Sequence, residues 1–413
     1  MHWVMTVNRW WLAHRTVQQL YAALRQLQTL LYGAAGLATV NLTIFAKHGF
    51  LNQIFSLSTT IPFLKLLAPF IAQLSFLLNL AVLLGFTGLF TARLVRPQFR
   101  VPACSSAIVA LVLLRFTEPV MLDVDVLQLP RFLNLEGQVL PSFGGAIILG
   151  LITSWLFNRW GRYATALLLG EVGLVFGGTI LWALLVPDWS RGDLYGALWP
   201  ILGRHAPLWI VVCVMVNCFL NLIGMTGTIG AGNYNGGSVA VHQNLSYALT
   251  THHLTRVPWP INLHAIATTY ANTGGPGMLL AAVLAVWLLT RHQAQSPARA
   301  SWWPALFNVG APLTLTLPIM LNPIMVVPFV TSSVVACLIP IGLTTVRWLP
   351  PSVYPVPATT PGFLRGFLAT NGNLVALFVG CLTVVVAVAI YWPFVKLAVQ
   401  QLEDKNEHDE TMG

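Results

Sequence analysis

Long apolar stretches separated by short polar connectors dominate this sequence and restrict what it can fold into. The clearest are residues 66–91, 165–187 and 375–396, and each is long enough to match the ~20 residues of a membrane-spanning helix. Only 8% of the 413 residues are charged, against roughly a quarter in soluble domains. Such a composition cannot cover a water-facing surface, so the sequence predicts an all-α, multi-pass membrane protein.

Further apolar runs are shorter, or are interrupted by Gly, Pro and Asn. They cover residues 27–46, 107–122, 143–157, 208–225, 277–289 and 313–346. Together with the three clear runs they predict about ten transmembrane helices, with broken or re-entrant segments in the C-terminal half. Ahead of them, residues 8–28 mix Trp and Leu with Arg9, Arg15 and Arg25, which predicts an amphipathic helix at the membrane surface.

The net charge of +9 does not indicate a nucleic-acid partner, because the basic residues are scattered at helix ends and form no patch. Arg93, Arg96 and Arg100 follow one apolar run, Arg159 and Arg162 follow another, and Arg291 and Arg299 follow a third. The positive-inside rule places these connectors on the cytoplasmic side. The five cysteines contain no CxxC pair and are expected to be core residues. No metal or cofactor is predicted.

The C-terminal half is rich in Gly, Asn, Thr and Pro within its apolar runs. Three segments stand out: GMTGTIGAGNYNGG at 224–237, NTGGPG at 272–277, and residues 308–323, which end in LPIMLNP. Non-helical backbone at membrane depth is tolerated only where it is buried in protein or lines a watery cavity. Its amides and carbonyls suit a polyhydroxylated ligand. A purely structural kink is an equally open interpretation of each segment.

The sequence has no Walker A motif and no dinucleotide fingerprint, so no nucleotide-driven motor is expected within it. A short polar tail, residues 400–413, follows the last apolar run. Any phosphate donor is therefore expected to come from another chain.

Several segments together resemble a known family. LYGALWPILG at 194–203, GMTG at 224–227, GGPG at 274–277, residues 307–323 and PPSVYPVPATTPGFLRGFLAT at 350–370 occur in one order. In that order they are similar to the IIC permease components of bacterial sugar phosphotransferase systems, of the lactose/cellobiose (diacetylchitobiose-like) type. The closing Pro-rich connector with its Thr-Thr-Pro is the most specific match.

The resemblance implies a homodimer in the bacterial inner membrane. Residues 1–193 would then hold the N-terminal amphipathic helix and the dimerisation or scaffold helices, residues 194–399 the sugar-binding transport half, and residues 400–413 a cytoplasmic tail. A β-linked disaccharide such as cellobiose or lactose would be carried across the membrane by this chain and phosphorylated by a separate IIB protein. A IIA protein would pass phosphate from phosphoenolpyruvate to that IIB protein.

The resemblance also implies a set of substrate-binding positions. They are Thr226, Gly274, Gly275, Gly277, Asn308, Ala311 and Asn322. Thr226 stands where the family has a His, Ala311 where it has a Glu, and Gly310 where it has an Asn. Since residues 194–402 contain no Asp or Glu, no catalytic residue is assigned, and the enzymatic part of this chain in the phosphotransferase complex stays open.

Two rival hypotheses remain. A degenerate relative of the family would act as a sensor or as a carrier without phosphorylation. A proton-linked secondary transporter would use an intramembrane carboxylate, for which Glu171 is a better candidate than Glu118. A helix-end or interhelical hydrogen bond is nevertheless the favoured interpretation of Glu171. The remaining proton acceptors, to which no catalytic role is assigned, are His242, His252, His253 and His264.

Overall fold

The structure is a computed structural model of the chain. It describes residues 2–116, 139–185, 206–224, 239–254, 256–290, 297–310, 313–316, 319 and 321–411. Throughout these ranges the backbone forms helices and turns and no strand, which confirms the predicted all-α class.

The helices before residue 200 are α1 (His2–Ala13), α2 (Arg15–Gln26), α3 (Gln28–Val40), α4 (Phe50–Phe55), α5 (Leu57–Thr60), α6 (Pro62–Leu94), α7 (Arg100–Phe116), α8 (Val139–Trp160) and α9 (Ala164–Leu185). Those after it are α10 (Ala206–Leu222), α11 (Val239–Thr251), α12 (Leu279–Leu289), α13 (Pro297–Leu306), α14 (Leu313–Thr316), α15 (Pro323–Thr345), α16 (Gly362–Ala369) and α17 (Leu374–Thr411). Two π-helical turns, Asn41–Phe45 and His264–Thr268, interrupt this pattern.

Within the described residues, five helical stretches are long and apolar enough to cross a membrane. They are Gln28–Phe55, Pro62–Leu94, Pro97–Leu114, Pro323–Thr345 and Leu374–Gln400. Their outer faces are apolar: Phe63, Leu66 and Phe70 of α6 are 61%, 73% and 61% exposed. Such a continuous apolar surface belongs in lipid rather than in water. The chain is therefore a multi-pass membrane protein, while the expected total of about ten crossings stays a prediction.

The N-terminal helices share one apolar core. α6 packs against α2, α3, α7 and α8, and α7 packs in turn against α9. Phe86, Phe90 and Phe143 lie at the centre and are fully buried. Phe86 and Phe90 stack with ring centroids 5.6 Å apart. Because the polar backbone of each helix is satisfied internally, close packing of such side chains is what joins the helices.

The C-terminal helices surround a second core. α17 packs against α12, α15 and α16, and α10 packs against α15. Fully buried side chains at its centre include Met278, Phe329, Cys337 and Tyr391. Gly277 of the 272–277 segment packs against Phe329 in this core, and Ile319 of the 308–323 segment belongs to it, whereas Leu315 belongs to the first core. Residues 225–237 lie outside the described residues.

Three predicted elements differ from the structure. The N-terminal stretch, predicted as one surface helix, is two helices with a break at His14. α1 packs against α15, and the indole Nε1 of Trp11 donates a 2.7 Å hydrogen bond to Leu321 O. Residues 400–411, predicted as a tail, continue α17 as a helix. The apolar run at 313–346 divides into α14 and α15, because Pro323 starts a new helix.

Candidate functional site

A tight turn of glycines opens α12 at residues 274–277. The backbone φ angles of Gly274, Gly275 and Gly277 are +83°, +107° and +74°. A Cβ on Gly277 would lie 2.2 Å from the ring of Phe329, and one on Gly274 would lie 2.1 Å from the amide nitrogen of Leu280. Only glycine satisfies both the left-handed backbone and this close approach. The predicted opening of a helix by this motif is confirmed, with the first helical residue at Leu279.

Asn308 connects this turn to the Pro-rich connector. Its side-chain Oδ1 accepts a 2.6 Å hydrogen bond from the backbone N–H of Gly274. Its Nδ2 donates to the carbonyl oxygens of Ala358, at 3.3 Å, and of Thr360. One amide therefore joins three segments that are far apart in sequence. In this conformation its hydrogen-bonding capacity is used by backbone groups.

The packing around Gly310 explains why this position carries glycine where the family has asparagine. A Cβ at this position would lie 2.1 Å from the carbonyl oxygen of Gly274 and 2.7 Å from the side chain of Leu279. An asparagine, which the family carries here, does not fit this packing. Ala311 and Thr226 lie outside the described residues, as do Asn233 and Asn235.

Asn322 is 7% exposed and caps α15. Its Oδ1 accepts a 3.1 Å hydrogen bond from the N–H of Ile324, and Pro323 occupies the first helical position. The preceding Leu321 N–H donates to Leu222 O, at the end of α10, over 3.0 Å. The side-chain oxygen of Asn322, a predicted substrate-binding group, thus caps a helix.

Arg365, on α16, was not identified from the sequence as a site residue. It is 4% exposed. One terminal nitrogen donates a 2.8 Å hydrogen bond to Thr268 O, in the π-helical turn, and the other donates to Ala358 O. The signal available in the sequence was a lone arginine within the apolar segment GFLRGFLA.

We call this region the polar junction: the turn His264–Thr268, residues 273–277, Asn308, and residues 358–365. It contains buried side-chain atoms with no hydrogen-bond partner, namely Thr268 Oγ1, Thr273 Oγ1, Thr360 Oγ1 and Arg365 Nε. Buried polar groups are nearly always satisfied in folded proteins, so a concentration of unsatisfied ones in one place suits the reception of a polar ligand or water.

The histidines are separated by the fold. His264 is 5% exposed, in the π-helical turn of the polar junction. His242 on α11, together with His252 and His253 after it, is exposed. His252 and His253 thus lie in a loop, outside the polar junction.

Glu171 lies in the other half of the molecule. Its carboxylate is 5% exposed on α9. Oε2 accepts a 2.6 Å hydrogen bond from Ser106 Oγ on α7, and Oε1 accepts one from Thr153 Oγ1 on α8. The carboxylate therefore joins three helices, which is the structural interpretation left open by the sequence.

These features define a multi-pass helical membrane protein with a polar junction where turns and short helical segments meet. In sequence, 31% of residues are identical over 141 residues to the lichenan permease IIC component of Bacillus subtilis, covering 33% of this chain and 31% of that protein. The lactose-specific EIICB component of a Lactococcus lactis phosphotransferase system is 28% identical, over 59% of this chain and 40% of its own length. The predicted resemblance to IIC components is confirmed.

The chain matches only about a third of the length of the first of these curated relatives. No family model matches it. A solved IIC component of an N,N′-diacetylchitobiose-specific phosphotransferase system aligns over 98% of both chains, with a TM-score of 0.44 and 17% identity.

Proposed function

We propose that this chain is the sugar-translocating IIC component of a phosphoenolpyruvate-dependent phosphotransferase system. Its cargo would be a β-linked disaccharide such as cellobiose or lactose. The observation that carries the proposal is the polar junction, where Asn308 ties the glycine turn to the Pro-rich connector. Broken helices that meet at a buried polar centre are the usual construction of a carrier site. The family-like positions Gly274, Gly275, Gly277 and Asn308 all contribute to it, and Asn322 caps α15.

The two apolar cores support a division of the chain into a scaffold half and a transport half. The helices of residues 1–193 would form the scaffold and the homodimer contact, residues 194–399 would form the moving transport half, and residues 400–413 would lie at the cytoplasmic face. Trp11, which donates to Leu321 O, would then couple the N-terminal helix to the start of α15. Thr226 and Ala311 are proposed to line the sugar path on the strength of the motif alone.

Separate IIB and IIA proteins would supply the phosphate. Phosphoryl transfer passes through a loose transition state and depends mainly on positioning and electrostatics. Since residues 194–402 offer no carboxylate base, the chemistry of transfer would rest with the partner. This chain would hold and orient the sugar.

Uptake of radiolabelled β-glucosides and β-galactosides tests the proposal in cells that lack other permeases, with and without the candidate IIA and IIB proteins. The proposal expects partner-dependent accumulation of sugar phosphate. Accumulation of unmodified sugar, independent of the partners, would replace the phosphotransferase function by that of a simple carrier. Absence of uptake from cells that contain the folded protein in their membrane would reject both.

A further inference from the structure

The charge of Arg365 is unexplained by its contacts. The side chain is 4% exposed, and its partners are the carbonyl oxygens of Thr268 and Ala358. Carbonyl groups stabilise a guanidinium but do not neutralise it. A buried ion is costly unless an opposite charge compensates it.

No such charge is present near it in the described part of the chain, where Arg365 has these two partners and no carboxylate. The sequence has no Asp or Glu from residue 194 to residue 402, and Ala311 replaces the glutamate expected from the family pattern. Burial lowers the pKa of Arg365 to about 10, so the side chain is still protonated at neutral pH. Among the described residues, the polar junction therefore carries a net positive charge.

The geometry leaves donors unused beside that charge. Arg365 Nε is buried and has no hydrogen-bond partner. The hydroxyls of Thr273 and Thr360 are likewise buried and unsatisfied, and these two threonines are 1% and 0% exposed. Thr273 packs directly against Gly362, three residues before Arg365, since a Cβ on Gly362 would lie 2.4 Å from the Thr273 hydroxyl oxygen.

A purely structural role, in which Arg365 joins the π-helical turn to the connector, accounts for only some of these features. This structural role uses the two terminal nitrogens of Arg365. It leaves Nε, the neighbouring hydroxyls and the net charge without a function. A guanidinium with adjacent hydroxyl donors is the arrangement that suits a carboxylate or a phosphate.

We propose that the sugar carried by this protein bears a carboxylate, and that Arg365 binds this group at the polar junction. A sugar phosphate is the product of the proposed phosphotransfer and not its cargo. The inference rests on the proposed transport function and narrows its substrate class from neutral to acidic β-linked sugars. The anion supplies the missing counter-charge when the carrier closes around its cargo, and the threonine hydroxyls donate to its oxygens.

Binding to the purified full-length protein in detergent tests this, with three probes: cellobiose, cellobionic acid and cellobiose 6-phosphate. We expect cellobionic acid to bind at least tenfold more tightly than cellobiose. Tighter binding of cellobiose 6-phosphate alone would show recognition of the product of phosphotransfer and would overturn the proposal. Equal or tighter binding of cellobiose than of cellobionic acid would also overturn it, while leaving sugar transport intact. Binding of none of the three would reject the proposed function as well.

Variants then assign the preference to Arg365. Arg365→Gln is expected to abolish the preference for the anionic sugar, and Arg365→Lys to retain part of it. Arg347→Gln removes the same charge from an exposed position after α15 and is expected to leave the preference unchanged. Thermal unfolding of each variant checks the fold. If Arg365→Gln does not fold, the wild-type preference and the Arg365→Lys variant decide. A folded Arg365→Gln protein that keeps the preference would contradict the assignment.

Discussion

Asn308 shows how one side chain can determine the arrangement of several segments. Its backbone is left-handed, with φ of +60°, a conformation that Asn tolerates better than most residues. Its partners are 34, 50 and 52 residues away in sequence. The sequence indicated that this amide matters, but no local pattern reveals partners at such separations.

Replacing Asn308 with Ala is expected to destabilise the protein by about 1–3 kcal/mol, because three backbone groups, two of them in part-buried hydrogen bonds, lose their partner. Asn371→Ala is the matched control, since Asn371 is also left-handed, with φ of +57°, but is exposed. Thermal unfolding in detergent measures both. Equal loss in the two variants would show that backbone strain, and not the bridge, accounts for the effect.

The sequence did not identify Arg365 as a site residue, because one of its partners, Thr268, is also far away in the chain. A single arginine among apolar residues does not indicate whether its side chain reaches water, lipid or the interior. The tertiary contacts with Thr268 O and Ala358 O decide this. The choice of glycine at 310 is similarly explained only by tertiary contacts, with the carbonyl of Gly274 and the side chain of Leu279.

At the scale of elements, the sequence predicted best where apolar residues were continuous. Residues 66–91 lie within α6, residues 165–187 match α9 to within two residues, and residues 375–396 lie within α17. Prediction was weaker where polar residues intervene. The break at His14 between α1 and α2 follows no Pro or Gly; the His14 ring contacts Trp10 O at 3.0 Å instead.

Gly277→Ala tests the packing of the glycine turn against α15. The added Cβ would lie 2.2 Å from the Phe329 ring, so we expect a loss of about 1–3 kcal/mol beyond that of Gly372→Ala. Gly372 has φ of +88°, but its nearest neighbour to a Cβ is 3.7 Å away, so it controls for backbone strain.

The double variant Gly277→Ala with Phe329→Ala completes this test. It should lose less stability than the sum of the single variants, because the smaller side chain removes the clash. Strict additivity would contradict the proposed contact. Thermal unfolding in detergent supplies all four values.

Glu171 provides a second test at this scale, because it joins α7, α8 and α9. Side-chain hydrogen bonds between membrane helices contribute about 0.6 kcal/mol on average. Glu171→Gln keeps one acceptor, so we expect a loss of less than about 1 kcal/mol and retained sugar uptake. Glu171→Leu leaves both Ser106 and Thr153 hydroxyls without this partner and should melt at a clearly lower temperature.

The opposite result would change the functional interpretation. A Glu171→Gln protein that folds normally but loses uptake, in cells whose wild-type uptake collapses with the proton gradient, would favour the proton-linked transporter. Ser106→Ala is the companion control, because it removes one hydrogen bond and keeps the carboxylate.

For the whole molecule, composition and apolar patterning predicted the class, whereas the site depends on contacts between segments. Phe86 and Phe143 centre one core, and Phe329 and Tyr391 centre the other. The polar junction lies against the second core: Tyr391 OH donates a 2.6 Å hydrogen bond to Gly277 O. Periodicity predicts which stretches are apolar helices, but it does not predict which broken segments meet.

Sugar counterflow in proteoliposomes that contain only this purified protein tests whether the chain is a sugar permease. Vesicles loaded with unlabelled sugar would receive a trace of the same labelled sugar outside, using cellobiose and its two anionic analogues in turn. We expect wild type and Asn371→Ala to accumulate label transiently, and Asn308→Ala to accumulate at least tenfold less. Absence of accumulation by folded wild-type protein with every sugar would contradict the assignment as a sugar permease.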